Sequence, residues 1–149
     1  MKKIIIILPF LLLFLLGFGW GISAYDNPFY LFDFHMFLSF IKDVPLHEIF
    51  GYHYVKYYYR PIEQVHIKIL YTFFGLDFHG YRVMSSIYLG LLGVAVYKFL
   101  LILAPERKKT AFISSVFFMN LSPLLFTAWD THDIELVGSL FFVLALIFL

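Results

Sequence analysis

The chain has 149 residues, of which 62% are hydrophobic, 22% aromatic and only 14% charged. Ordinary soluble domains carry about a quarter charged residues, so the bilayer is read as the solvent for much of this chain. The net charge of +1 hides a patterned distribution and says nothing about nucleic acid, but no basic stripe with the spacing of a nucleic-acid reader is present. The absence of cysteine excludes disulfides and thiolate metal sites.

The chain opens on Lys2 and Lys3, followed by an apolar run over 4–24. About 20 residues at ~1.5 Å each suffice to cross a ~30 Å hydrocarbon core. Pro9, in the second turn, would at most kink such a helix. A cleaved signal peptide shares the basic start, but Phe18 and Ile22 spoil the small-residue cleavage pattern and more apolar runs follow. The run is read as an uncleaved signal-anchor.

Residues 25–82 form a long segment that holds most of the polar chemistry: Asp26, Asp33, Asp43, Glu48, the histidines at 35, 47 and 53, Lys56 and Arg60. Long connections without regular structure are usually functional unless disordered, and the many Phe, Tyr and Leu here argue for burial against an apolar surface. We therefore expect a loop at the membrane surface that carries an active site. Inside it, Ile62, Val65, Ile69 and Phe73 recur at helical spacing between Glu63, Gln64, His66 and Lys68. Pro61 suits the first turn and Gly75 the stop, which predicts an amphipathic helix on the interface.

A second span is predicted over 83–103, where Ser86 and Gly90 present a small-residue face for close helix approach. Lys98, near one end, is placed to snorkel. After the basic turn at 105–109, a third span over 111–127 is interrupted near its end by Asn120 and Pro123. The acidic loop 129–135 and a fourth run over 136–149 complete the pattern. That last run would reach about 21 Å as a helix, short of a ~30 Å core. The chain is thus expected to be the amino-terminal part of a longer protein, or a truncated reading frame. The predicted fold is all-α and polytopic, with about four spans in one domain over 1–149 and short interfacial helices in the outer loop.

Positive residues set the orientation. Lys2, Lys3, Arg107, Lys108 and Lys109 belong in the cytoplasm, and the acid-only loop at 129–135 faces out together with 25–82. This predicts a multi-pass protein of the plasma (inner) membrane with a cytoplasmic amino terminus.

Several residues in the outer segments suit chemistry. Asp33 stands among aromatics and Leu just beyond the first span, and apolar burial moves a carboxylate toward the range useful for proton abstraction. It equally suits the N-cap of a short helix over 34–41, and the roles can coexist. Asp26 fits a turn with Asn27 and Pro28. His35, His47 and His53 with Asp33 or Glu48 offer ligands for zinc or manganese, but their spacing matches no compact metal motif. No cofactor is assigned, and a divalent metal stays open. The tyrosines at 52, 54, 57, 58 and 59 read first as an interfacial belt. The planar fork of Arg60 matches phosphate oxygens, with Lys56 one helical turn away if the segment is helical, while an ordinary pairing with Glu63 is the plainer alternative. Asp130, Asp133 and Glu135 form a second acidic cluster on the same predicted side, or a solvated turn.

The order of these elements resembles a known family. An acidic residue among aromatics follows the first span, then Tyr59-Arg60-Pro61, then Phe74-Gly75-Leu76-Asp77-Phe78-His79-Gly80-Tyr81-Arg82. Asn120-Leu121-Ser122-Pro123 and Ala128-Trp129-Asp130-Thr131-His132-Asp133 continue it. The pattern is similar to the start of the GT-C glycosyltransferases, a superfamily that includes protein O-mannosyltransferases and bacterial lipid A aminoarabinose transferases. The resemblance implies a sugar donor linked to polyprenyl phosphate, and an acceptor that is a glycan, lipid or protein. It makes Asp33 the catalytic residue, although many members carry a doubled Asp where Phe32 precedes Asp33 here. Arg60, Lys56 and Arg82 would hold the leaving phosphate, and Asp133 would join them in binding substrate. The contrasting reading is a non-enzymatic membrane protein, a transporter piece or assembly subunit. Transporters more often place ionisable residues midway through a span, where this sequence has almost none.

Overall fold

A computed structural model describes residues 2–23, 25–26, 45, 47–48, 61–121 and 134–149. The regular structure among them is entirely helical, in agreement with the all-α expectation: α1 (Lys2–Ile22), α2 (Pro61–Phe74), α3 (Phe78–Leu103), α4 (Lys108–Met119) and α5 (Ile134–Phe148). The chain divides into two compact units, Met1–Asn27 with Arg82–Leu149, and Pro28–Tyr81.

In the first unit α1 passes through Pro9 without a break. It runs antiparallel to α3, with Phe10 against Tyr97 and Gly17 against Gly90. The expected face of Ser86 and Gly90 is the contact surface, and it meets Gly17 and Gly21 of α1. A Cβ on Gly21 would stand 2.6 Å from the Ser86 Cα, and one on Gly17 would stand 2.8 Å from the Gly90 Cα. Such distances leave room only for hydrogen, so the two backbones touch along one stripe. Close approach of this kind supplies the dispersion contacts that hold apolar helices together when water is not squeezed out between them.

The core of this unit gathers Leu13, Leu89, Leu92, Tyr97, Met119 and Leu136 from four helices. Tyr97 is its hub: its ring lies edge-on to Phe10 at 5.1 Å and to Phe112 at 6.2 Å. Such edge-to-face pairs add to the burial of the rings themselves. Two buried hydroxyls are satisfied within their own helices, Ser86 donating to the Arg82 carbonyl at 2.7 Å and Ser115 to that of Ala111 at 2.8 Å. The first unit thus buries no hydroxyl of these two serines at the cost of a lost hydrogen bond. At the end of α4 the Asn120 side chain donates to the Val116 carbonyl at 2.9 Å, so the first of the two expected interrupters closes the helix. Lys98 is exposed and places its Nζ 5.9 Å from the centroid of the Phe148 ring.

In the second unit α2 begins at Pro61 and stops before Gly75, as its sequence predicts. Gly75 takes φ +57°, the left-handed value that costs other residues a Cβ clash, and its N–H donates to the Tyr71 carbonyl at 2.8 Å. Ile67 and Leu70 are buried, whereas Ile69 and Phe73 stand open on another side of the helix. The helix therefore has a packed apolar face and a second, exposed one.

α3 starts five residues earlier than predicted, at Phe78 rather than 83. Asp77 is the reason, because its carboxylate caps the first turn. At 26 residues the helix is about 39 Å long, more than a hydrocarbon core. It is the one helix among the described residues long and apolar enough to cross a membrane. Shorter apolar helical stretches are Ile7–Ile22, Val65–Phe74 and Leu136–Phe148.

Candidate functional site

Of the residues singled out in the sequence, Asp33, Lys56, Arg60 and Asp133 lie outside the described residues, as do His35 and His53. His47 and Glu48 are described, and form an exposed pair with Nε2 and Oε1 3.8 Å apart. At that distance and exposure the pair is a surface contact of little energetic weight. Among the described residues no three histidines or carboxylates come together as a metal site.

Arg82 is described and is fully buried, the largest side chain among the described residues to be so. A guanidinium cannot lose its charge, and out of water it needs partners. Arg82 takes part in interactions besides the Ser86 contact to its carbonyl, as do Ser85 and Tyr88 nearby on the helix. Its burial shuts the cation off from bulk solvent.

The turn that joins α2 to α3 carries a polar device that sequence reading did not single out. One Asp77 oxygen accepts the backbone N–H of His79 at 3.1 Å and lies 2.9 Å from its Nδ1. With the carboxylate ionised, Nδ1 carries the proton and Nε2 is left as the acceptor of the imidazole. The ring contact and the backbone N–H of His79 hold the Asp77 carboxyl below its usual range, against a small opposing effect of burial. The Tyr81 hydroxyl, one turn on, donates to the Gly75 carbonyl at 2.9 Å and ties the turn shut. Phe74 packs against the Tyr81 ring at 6.0 Å, over a position where Gly80 leaves no room for a side chain. The signal for the cap was legible: an Asp immediately before an apolar helix, past a glycine stop. An Asp–His pair of this kind can fix a tautomer and orient a base, and here it also starts a helix.

A cleft of about 610 Å³ opens in the first unit between α1, the end of α3 and the start of α4. Leu8, Leu12, Leu101 and Ile113 form its walls, with Lys108 and Lys109 at its rim. The cleft brings the amino-terminal half of α1 beside the basic turn, so the two lysine-bearing segments stand at the same end of the unit. Comparison with protein-family models, curated proteins and solved structures finds no match to this chain.

Proposed function

We propose that this chain is a multi-pass membrane protein that transfers a sugar from a polyprenyl-phosphate carrier to an acceptor hydroxyl at the outer membrane–water interface. The observation that carries this reading is the separation of polar from apolar residues along the chain. The candidate acids and cations gather in 25–82 and 129–135, while the intervening runs are almost free of charge. A donor with a polyprenyl tail demands that arrangement, because the tail stays in hydrocarbon while the sugar reaches water. The membrane-length α3 and the shared end of the two basic segments support a bilayer setting.

In this reading Asp33 accepts the proton of the acceptor hydroxyl as that oxygen attacks the anomeric carbon. The bond from the anomeric carbon to the phosphate oxygen breaks, and its electron pair leaves with the polyprenyl phosphate. Arg60 and Lys56 neutralise the departing charge, with Arg82 as a further candidate cation, and Asp133 binds the sugar or acceptor from the second loop. The amino terminus and the turn at 105–109 face the cytoplasm of the plasma (inner) membrane.

The test is transfer itself. Membranes carrying the full-length protein are supplied with a polyprenyl-phosphate sugar labelled in the sugar. Label moving into an acceptor glycan, lipid or protein, above that in membranes lacking the chain, supports the reading. Donor binding without transfer would turn it into that of a carrier-binding subunit, and no donor binding would remove it.

A further inference from the structure

We infer that the cleft between α1, α3 and α4 is a binding site for one anionic phospholipid, with an acyl chain along its apolar walls and the phosphate at Lys108 and Lys109. The inference rests on the membrane embedding proposed above and is independent of sugar transfer.

Three features of the cleft act together. Its walls are apolar and contributed by helices rather than by loops, so the groove is built into the packing of the unit. Leu8, Leu12 and Ile113 are each about half exposed along it, which leaves apolar surface that a lipid chain would cover. Its rim is cationic: Lys108 and Lys109 line it, and among the described residues neither stands in an ion pair.

The third feature is the start of α4. Its N-cap position is Arg107, which makes no side-chain cap, and its first turn holds no acid. Arg107 itself stands 3.9 Å from the exposed Glu106 carboxylate. Helix starts favour negative charge, because first-turn N–H groups lack partners and the helix dipole is positive there. Here the sequence puts two lysines on that positive end instead. The arrangement is unfavourable by itself and favourable around an anion. Charge at the rim and hydrocarbon along the wall are both needed by one class of molecule, a lipid with a phosphate headgroup. Basic pockets between membrane helices at the cytoplasmic side bind such headgroups, and the orientation proposed above places this rim there.

The experiment uses the full chain, reconstituted in vesicles of phosphatidylcholine alone or with phosphatidylglycerol, and then native mass spectrometry of the released protein. Alkaline extraction of the vesicles first reports whether the chain is integral. Retained lipid should be phosphatidylglycerol, its ratio to phosphatidylcholine raised about 25-fold over that in the vesicle, on a scale of about fivefold for each lysine. Lys108→Gln with Lys109→Gln should abolish the enrichment, and both side chains are exposed, so the fold survives. Ile113→Trp keeps the lysines but fills the cleft, and should also lose the retained lipid. Inorganic phosphate should not displace it. Chain extracted by alkali would overturn both this inference and the membrane reading. An integral chain with no preference for phosphatidylglycerol, a variant that retains it like the parent, displacement by phosphate, or a second copy of the chain in place of lipid would overturn this inference alone.

Discussion

Gly17 of α1 and Gly90 of α3 bring two backbones into direct contact: a Cβ added to Gly17 would lie 2.8 Å from the Gly90 Cα and 2.9 Å from its amide nitrogen. A Cβ added to Gly90 would in turn lie 2.8 Å from the Phe14 carbonyl oxygen. The nearest neighbour in each case is a main-chain atom, which cannot swing aside as a side-chain tip can. Any larger residue must therefore push the helices apart.

Gly17→Val should accordingly destabilise the first unit by about 1–3 kcal/mol, the usual cost of overpacking. Gly19→Val is the control, since a Cβ there meets nothing within 4 Å. Thermal unfolding of the detergent-solubilised chain, followed by loss of helical signal, should separate the two. Equal midpoints for both variants would mean that the crossing is looser than described.

The Asp77 cap makes the start of α3 sensitive to pH. Its carboxyl is held below the usual range mainly by the His79 side chain. A depressed carboxylate contributes fully above its unfolded pKa and stops contributing as pH falls through its lower, folded pKa. Hydrogen exchange over 78–84, corrected for intrinsic rates, should therefore accelerate in acid. Asp77→Ala should show the fast exchange already at neutral pH, and Asp77→Asn should stay slow across the range, because Asn still caps. Identical exchange in the parent and in Asp77→Ala would leave the cap without a role.

Topology is predicted by the placement of charge. A reporter fused after Lys109 should behave as cytoplasmic and one fused after Tyr57 as external. The reverse pattern would invert the protein and separate the acidic segments from the outer surface.

The residues show which parts of this structure a single chain reveals. Pro61 and Gly75 marked both ends of α2, because their backbone preferences act locally and need no partner. Ser86 and Gly90 announced a close approach, yet nothing in that stripe says which helix comes to it. Gly17 and Gly21 were its counterpart, hidden in a run that reads simply as apolar. Hydropathy alone sets the start of α3 five residues late, because the polar cap at Asp77 lies outside the apolar run. The burial of Arg82 was equally illegible, since a cation's position in a sequence does not reveal what surrounds it. Of the candidate site, Asp33, Lys56, Arg60 and Asp133 fall outside the described residues. Their grouping rests on sequence pattern alone.

Arg60 is proposed to hold the carrier phosphate through its planar fork. Arg60→Lys keeps the charge and loses the bidentate geometry, so donor affinity should fall several-fold, and Arg60→Ala should lower it further. Equilibrium binding of a polyprenyl-phosphate sugar to the solubilised protein reads this directly. Unchanged affinity in both variants would assign Arg60 to a structural pairing such as that with Glu63.

The central claim is that Asp33 acts as the base in sugar transfer, and Asp33→Asn in the full-length protein tests it most directly. General-base assistance is worth about 10²–10⁴-fold, and turnover from a labelled polyprenyl-phosphate sugar should fall by about that factor. Asn caps a helix nearly as well as Asp, so a merely structural Asp33 would tolerate the change. Expression and donor binding should remain at the parental level while transfer is lost. Transfer by Asp33→Asn at the parental rate would contradict the account.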